Sequence, residues 1–421
     1  MKLYLRYVLA LVCLLHPLLS KAASLLIPMD NTQKDHLKSY GVAFWILKKD
    51  GEVDWLLNYR GGSFLLKYDK DTEAECKIRG VSYEVLPDAK ASAILTEIND
   101  PSVNMEVMKL QKAPKIAVYS PQDKGGLEDA VVLVLNYAEI PFSYIYDETV
   151  LKGDLEKYDW LHLHHEDFTG QYSKMMGGFR NQEWNAQNKI KQEALARKMG
   201  FKKVSKMKLA VAQRIRTYCA DGGFLFAMCS GADSFDIALA AANTDICAAQ
   251  YDGDGVDPAA QSKLDFSQTF AFQNFMVNIN GRSRQFSDID VSNTRGIPQS
   301  SDFFTLFDFS AKWDFVATML TQDHDRVIKG FKGLATAFDK TKLKPGVTVL
   351  GELKSANEAR YIHGEYGKGQ WTFYGGHDPE DYQHSPTEPP TDLALHPNSP
   401  GYRLILNNVL FPAAKKKKQK T

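Results

Sequence analysis

The chain has 421 residues, of which 44% are hydrophobic, 11% aromatic and 24% charged, with 51 Lys and Arg against 51 Asp and Glu. This composition excludes a disordered chain, because so many apolar and aromatic residues can bury a core, and it excludes a collagen-like chain, because glycine and proline are too few. At very roughly 150 residues per domain, the length predicts two or three globular domains.

The N-terminus predicts an exported protein. Two basic residues, Lys2 and Arg6, precede an apolar run over residues 7–19, and small residues at 22–24 follow it. This order is typical of a secretory signal peptide, here residues 1–23. The alternative is a short transmembrane anchor, which the shortness of the run and the small residues after it disfavour. We therefore expect a periplasmic, surface-associated or extracellular protein with no transmembrane segment in the mature chain.

The charge distribution does not indicate a nucleic-acid surface, and we expect no nucleic-acid partner. The lysines at 415–418 and 420 lie in a C-terminal tail, 413–421, that we expect to be disordered. In the rest of the mature chain acidic residues outnumber basic ones, which is unlike a nucleic-acid-binding surface.

Because few cysteines follow the predicted signal peptide, core packing rather than a disulfide scaffold must hold the fold. Those cysteines are Cys76, Cys219, Cys229 and Cys247.

Two structural units are expected along the chain. Residues 25–111 predict a small β-rich N-terminal domain, because short apolar segments, beginning with a strand at 41–47, alternate with Gly-containing turns. Residues 115–412 predict an α/β domain, because strands alternate with helices at the spacing of a parallel sheet. The predicted fold class is a doubly wound, mostly parallel sheet of the flavodoxin-like type, with an insertion at about 251–345.

The elements predicted for the α/β domain follow one another in this order. The strands are expected at 115–120, 142–146, 160–164, 223–227, 347–350 and 370–374. The helices are expected at 127–138, at 190–220 with a break near Gly200, at 235–242 and at 402–410.

The segment Ala227-Met-Cys-Ser-Gly231 predicts a nucleophile elbow. A buried strand ends here and a helix follows, so Cys229 would occupy a tight strand-to-helix turn whose neighbours must be small. The N-terminus of that helix would lower the pKa of the thiol and present the Ser230 N–H to an oxyanion. The alternative is a plain buried cysteine at the end of a strand.

His377 follows the last predicted strand and could supply a base for this nucleophile. A thiol nucleophile needs a base to take its proton and a carboxylate to orient that base, and acidic residues lie at 378, 380 and 381. Because ligands of open α/β sheets bind at the carboxyl ends of the strands, Cys229 and His377 are expected to meet at that edge. A turn-capping histidine is the alternative.

These motifs resemble the class I glutamine amidotransferase-like superfamily over residues 115–412. The similarity rests on the strand-Cys-helix elbow and on Gly-x-Gly-x-x-x-Phe-x-Gly-Gly-His-x-Pro-Glu at 367–380, which resembles the superfamily's late strand and His-Pro-Glu segment. The resemblance implies an amidotransferase-like fold and thioester chemistry on a side-chain amide. It implies Cys229 as nucleophile, His377 as base and Glu380 as the residue that orients the base.

Polar residues after the strand at 160–164 are expected to line the cleft of Cys229. The resemblance places a second oxyanion N–H in this loop. The candidates for oxyanion stabilisation or binding are Ser230, Gly170, His164, His165 and Glu166. The density of imidazoles and carboxylates also favours a metal alternative, but the spacing is not a standard zinc pattern, and we predict no metal.

A second resemblance covers the same turn, since Ser230-Gly-Ala-Asp-Ser234 resembles the pyrophosphate loop of asparagine synthetases. It would imply an ATP-dependent ligase.

The favoured function is an exported thiol-dependent amide hydrolase that needs no cofactor and acts on a small-molecule or peptide amide. The alternatives are that ligase and a non-catalytic secreted binding module on the same fold. The sequence leaves the oligomeric state open.

Overall fold

Two β-sheets organise the computed structural model, which describes residues 22–121, 128–171, 174, 182–281, 283–292, 296–321, 325–384 and 388–414. The predicted signal peptide lies outside these residues up to position 21, and the predicted Lys-rich tail lies outside them from position 415. Among the described residues, no helix has the length and apolar character needed to cross a bilayer.

The first sheet is antiparallel and belongs to the N-terminal part of the chain. Its strands are β1 Ala22–Ile27, β2 Val53–Leu57, β3 Ser63–Lys67, β4 Glu84–Pro87 and β5 Glu106–Leu110, and its helices are α1 His36–Lys48, α2 Lys70–Arg79 and α3 Asp88–Asn99. The strand order is β4-β1-β3-β2-β5.

The predicted strand at 41–47 is wrong, because these residues lie inside α1. The helix begins after Asp35, whose side chain accepts the Lys38 N–H at 2.8 Å and so caps the first turn. The apolar run resembles a strand because α1 is buried along most of its length, so that its sequence shows little helical periodicity. The N-terminal unit is therefore an α/β arrangement rather than a β-rich one.

The second sheet has ten strands. They are β6 Ile116–Tyr119, β7 Ser143–Ile145, β8 Trp160–Leu163, β9 Phe224–Met228, β10 Phe303–Leu306, β11 Val327–Lys329, β12 Phe338–Asp339, β13 Thr348–Leu353, β14 Glu358–Tyr366 and β15 Gly369–Tyr374. The helices are α4 Ala130–Tyr137, α5 Asp147–Leu151, α6 Gln182–Lys198, α7 Val204–Ala220, α8 Ser230–Ala240, α9 Ala249–Asp252, α10 Ala317–Leu320 and α11 Pro400–Leu410. Short 3-10 turns lie at Tyr59–Gly61, Asp154–Lys157, Ala260–Lys263, Phe266–Gln268, Gln299–Ser301, Lys340–Lys342, Lys354–Ala356, Leu393–Leu395 and Phe411–Ala413.

The predicted doubly wound, mostly parallel, flavodoxin-like sheet is wrong, because this sheet is mixed. Its order is β11-β10-β13-β14-β15-β9-β8-β6-β7, with β12 beside β14. Parallel pairing runs from β7 to β15, and every pair from β15 to β11 is antiparallel. The reason is local: the tight turn at Gly367, where φ is 61°, folds β15 back on β14, and a connection this short allows only an antiparallel pair.

One hydrophobic core joins the two sheets. It includes residues of β1 to β3 and of α1, α4 and α11, so the C-terminal helix lies against the N-terminal unit. Two buried polar contacts fix this arrangement: the Tyr40 hydroxyl donates to Asn407 Oδ1 at 2.5 Å, and Arg403 Nη2 donates to the Gly61 carbonyl at 2.6 Å.

Three neighbouring parallel strands bring the predicted site residues to one edge of the second sheet. Ala227 of β9 pairs with Leu163 of β8 on one side and with Phe373 of β15 on the other. The residues that follow these strands are therefore neighbours in space. They include His164, Cys229 and His377.

Candidate functional site

Cys229 lies in the turn between β9 and α8 with a strained backbone. Its φ is 49° and its ψ is −138°, a region that residues with a side chain seldom occupy. The turn is held in place by the Cys229 N–H, which donates to the Gly376 carbonyl at 3.1 Å. The sulfur atom is thereby presented at the carboxyl edge of the sheet, between the ends of β8 and β15.

The sulfur of Cys229 is enclosed. The residue is 1% exposed, and its Sγ accepts the backbone N–H of Leu334 at 3.2 Å. Burial raises the pKa of the thiol to about 11, although the N–H groups of Leu334, Ser230 and Ala335 act in the opposite direction. The prediction that the helix N-terminus lowers this pKa is therefore wrong in direction, because burial outweighs the helix end.

Three imidazoles surround the same sulfur. One ligand atom each from His164, His165, Cys229 and His377 lies within 4.8 Å of the others, and we call these four residues the Cys-His cluster. Within it, His164 Nε2 lies 3.0 Å from His377 Nδ1. Burial lowers the pKa of His164 and His377, and it lowers that of His165 to about 3. All three rings are therefore neutral at pH 7, with lone pairs available.

Asp129 supports the cluster from the start of α4. Its carboxylate caps this helix by accepting the N–H groups of Val131 at 2.9 Å and Val132 at 3.1 Å. The same Oδ1 lies 3.2 Å from Nδ1 of His164 and 3.2 Å from Nε2 of His162. A cap that is rigidly held by backbone donors thus fixes the position of His164, which in turn contacts His377.

Glu380 does not occupy the position that the resemblance implies. Its carboxylate lies 3.3 Å from Nδ1 of His396, and among the described residues neither a hydrogen bond nor an ion pair joins Glu380 to His377. The neighbouring Asp378 is buried, and it accepts the Tyr402 hydroxyl at 2.7 Å and the Glu380 N–H at 2.8 Å. The contact that orients His377 comes from His164 and, behind it, Asp129.

The remaining predicted residues divide between the site and its surroundings. Ser230 lies next to Cys229, and its hydroxyl donates to the His164 carbonyl at 3.3 Å, so it ties α8 to the end of β8. Gly170 packs against the start of α7, where a Cβ would lie 2.4 Å from Ser205 Cα, which makes it a packing residue. Glu166 belongs to a separate buried group and accepts the Tyr146 hydroxyl at 3.2 Å.

Two groups at the site were not predicted from the sequence. Asp129 shows only a helix-capping signal, a polar residue before an apolar helix, which says nothing about a histidine reached across the sheet. Leu334 lies in the predicted insertion, and its contribution is a backbone N–H, so its side chain carries no signal at all. The insertion nevertheless covers the site, since the Lys332 carbonyl also accepts the His377 N–H at 2.9 Å.

The segment that resembles a pyrophosphate loop is packed against protein. Residues 230–234 are buried, and a Cβ on Gly231 would lie 2.9 Å from the Leu163 carbonyl carbon. The Ser234 hydroxyl donates to the Glu166 carbonyl at 3.0 Å. The segment therefore presents no open backbone cradle for a phosphate group.

A cavity lies at the opposite end of the sheet. It has a volume of about 860 Å³ and is lined by Asp159, Gly222 and Gln370, which lie near the amino ends of β8, β9 and β15. Since the Cys-His cluster lies at the carboxyl ends, this cavity and the cluster are separate features.

Comparison with known proteins does not identify the chain. No family model matches the sequence, and no curated protein matches it either. Two cytoplasmic proteins of Salmonella typhimurium are 11% and 14% identical, and each match covers 72% of this chain and 100% of the other with a TM-score of 0.35. A β-galactosidase from Bacillus circulans sp. alkalophilus is 12% identical over 64% of this chain and 29% of the enzyme, with a TM-score of 0.26. Similarities this low transfer neither a fold nor a function to this chain.

Proposed function

We propose that this protein is an exported thiol-dependent amide hydrolase in which Cys229 is the nucleophile and His377 is its base. The observation that carries the proposal is the position of Cys229 on a strained strand-to-helix turn, with Sγ and a ring nitrogen of His377 within 4.8 Å of each other. A thiol and an imidazole held this close need only a short movement to reach the hydrogen-bond contact between nucleophile and base that acyl transfer requires.

The proposed reaction proceeds in two halves. Cys229 Sγ bonds to the amide carbonyl carbon while its proton passes to His377, and the leaving amine takes that proton as the C–N bond breaks. Water then attacks the resulting thioester while His377 receives a proton from the water. The C–S bond breaks to release the carboxylic acid, and His377 returns its proton to Sγ, which restores the thiol. The amide is hydrolysed to an acid and an amine with no cofactor.

The backbone around the sulfur would stabilise the oxyanion in both halves. The Ser230 and Leu334 N–H groups already point towards Cys229 Sγ, and such donors act most strongly where water is excluded. Because Cys229 is 1% exposed, the segment at 331–336 must move just far enough to admit the substrate carbonyl between Sγ and the Leu334 N–H. We therefore expect the substrate carbonyl to replace Sγ as the acceptor of the Leu334 N–H.

A panel of amides tests the proposed activity. The purified protein is incubated with free glutamine and asparagine, amino-acid amides and short peptides, and the released ammonia or amine is measured. Cys229→Ser should lower kcat on any hydrolysed substrate by at least about 1000-fold, because serine at this position lacks an equally acidic proton. Cys76→Ala, in the N-terminal unit, is the matched control and should keep the wild-type rate. Equal activity of wild type and Cys229→Ser would contradict the proposal.

Export is tested separately by N-terminal sequencing of the protein recovered from expressing cells. We expect the mature chain to begin at Ser24, which leaves the pairs from Ser24 with Lys67 to Ile27 with Phe64 intact in the first sheet. Recovery of the chain with residues 1–21 still attached, in the cytoplasmic fraction alone, would contradict export but not the hydrolase activity.

A further inference from the structure

We propose that the Cys-His cluster binds one transition-metal ion of the zinc type, with His164, His165, His377 and Cys229 as ligands. The sequence predicts no metal here because the ligands come from three separate segments. The sheet edge brings them together, with one donor atom from each within 4.8 Å of the others.

The ligand chemistry favours zinc over magnesium or calcium. Three imidazoles and one thiolate form a nitrogen and sulfur donor set, which binds Zn²⁺ and is avoided by the ions that prefer oxygen. A tetrahedral zinc site places its donor atoms about 3.3–3.8 Å apart. The four donor atoms of the cluster lie within 4.8 Å of one another, so the side chains need to shift by about 1 Å to reach this geometry.

A backbone carbonyl and a carboxylate lie against two of the proposed histidine ligands, as such groups do in known metal sites. The Glu128 carbonyl contacts Nε2 of His165, which leaves the Nδ1 lone pair of that ring for an ion. The negative charge of the Asp129 carboxylate, 3.2 Å from Nδ1 of His164, favours a proton on that nitrogen and so leaves the Nε2 lone pair of His164 for an ion. Carbonyl and carboxylate partners of this kind fix the tautomer and orientation of ligating histidines.

A second observation points to a missing ligand. His377 is 7% exposed, and its Nε2 is buried without a hydrogen-bond partner among the described residues. Such a nitrogen is costly to bury unless something binds it.

The charges of the site balance those of the ion. Binding of Zn²⁺ displaces the thiol proton of Cys229, which leaves the protein as H⁺, and forms a zinc-thiolate bond with no change in oxidation state. The thiolate and the Asp129 carboxylate together supply two negative charges against the two positive charges of the ion. A buried site that is neutral overall avoids the cost of an uncompensated charge.

Cobalt provides the direct test, because a Co²⁺-thiolate bond gives a charge-transfer absorption band. The purified metal-free protein is titrated with Co²⁺ under anaerobic conditions, and Zn²⁺ is then added in competition. We expect a thiolate band that saturates at one equivalent and is bleached by Zn²⁺. Absence of the band would overturn the proposal.

Variants locate the ion. Cys229→Ser should abolish the band and lower the affinity for Zn²⁺ by at least about 100-fold, and Asp129→Asn should lower it by about 10- to 100-fold through loss of the carboxylate behind His164. His377→Gln keeps the thiol and should also weaken binding, so the test survives if Cys229→Ser fails to fold. Cys76→Ala should bind like wild type.

A second group, Asp245, Cys247 and Asp252, also brings possible ligand atoms within 4.8 Å of one another, and it provides the competing explanation. A band that is lost in Cys247→Ser and kept in Cys229→Ser would place the ion there and overturn the proposal.

Metal binding is measured without a substrate, so it succeeds or fails independently of the proposed hydrolase. If both hold, one equivalent of Zn²⁺ should abolish amide hydrolysis, because the ion occupies the nucleophile and its base. Binding without hydrolysis would leave the metal site standing and reject the hydrolase. Amide hydrolysis without metal binding would support the hydrolase and reject the metal site.

Discussion

Single residues at the site combine packing and chemical roles. Asp129 caps α4 through two backbone N–H groups while its Oδ1 lies 3.2 Å from a ring nitrogen of His164. The carboxylate that supports His377 therefore belongs to a helix cap on a distant segment. Glu380, which follows His377 closely in sequence, contacts His396 instead.

Asp129→Asn should separate these two roles. Asparagine caps helices as well as aspartate does, so the free energy of unfolding should change little, while the loss of charge should lower kcat by about 10- to 100-fold with KM unchanged. Steady-state kinetics on a substrate from the amide panel and a urea unfolding curve provide the two readouts.

Glu380→Gln is the matched variant for that experiment. It should change kcat by less than about 3-fold, because the carboxylate lies against His396 rather than His377. A larger loss in Glu380→Gln than in Asp129→Asn would reject Asp129 as the positioning residue and restore the triad implied by the resemblance.

At the scale of elements, the site depends on a close approach of α8 to the end of β8. Gly231 lies in the first turn of α8, and its N–H donates to the His164 carbonyl at 2.6 Å. A Cβ at this position would lie 2.9 Å from the Leu163 carbonyl carbon and 3.0 Å from the His164 carbonyl oxygen. Since both neighbours are backbone atoms, the strand would have to move.

Gly231→Ala should therefore destabilise the protein by about 1–3 kcal/mol, the usual cost of overpacking a buried contact. Alanine favours an isolated helix by about 1 kcal/mol over glycine, so helix propensity alone predicts the opposite sign. Urea unfolding measures the difference in the free energy of unfolding.

Gly255→Ala is the control, because a Cβ at Gly255 meets no atom within 4 Å. Its free energy of unfolding should stay within about 0.5 kcal/mol of wild type. An equal effect of the two substitutions would show that contact with β8 does not require glycine at 231.

At the scale of the whole molecule, the N-terminal unit is attached to the C-terminal segment at the start of α1. The His36 N–H donates to Asn398 Oδ1 at 3.0 Å, and the Leu37 N–H donates to the Pro397 carbonyl at 3.1 Å. The His36 side chain is buried, and its Nε2 lies 3.1 Å from the Asp30 carbonyl oxygen. Burial, assisted by the charge of Arg403, lowers the pKa of His36 from 6.5 to about 4.

This lowered pKa predicts a loss of stability in mild acid. Between pH 6.5 and 4 the unfolded chain binds a proton at His36 that the folded protein does not, so the contribution is fully present above pH 6.5 and is lost as the pH falls to about 4. The loss from this one residue is at most about 3 kcal/mol. His36→Gln, which can still donate to the Asp30 carbonyl, should lose correspondingly less stability over that range.

Urea unfolding at pH 7, 6 and 5 gives the comparison. Other buried histidines titrate in both proteins, so the informative quantity is the difference between wild type and variant at each pH. A difference that stays constant from pH 7 to pH 5 would contradict the lowered pKa of His36.

Short buried strands bounded by turn residues were predictable from the sequence. β6, β8, β9 and β15 lie within a residue or two of their expected positions, because an apolar run of this length next to glycine has few alternatives. The segment at 41–47 is as apolar as these strands and yet forms a helix. Because α1 is buried along most of its length, its sequence lacks the periodicity that distinguishes a helix from a strand.

The positions of Cys229 and His377 at the carboxyl edge of the sheet could be predicted from the amino-acid pattern alone, because each residue follows a buried strand at a turn. The mixed sheet, the support of His377 by His164 and Asp129, and the cover that Leu334 forms over the sulfur became visible only in the folded chain. Strand ends and turns depend on neighbouring residues, which the sequence displays. The state of a buried thiol and the partner of an imidazole depend on segments far apart in the chain, which meet only when the core packs.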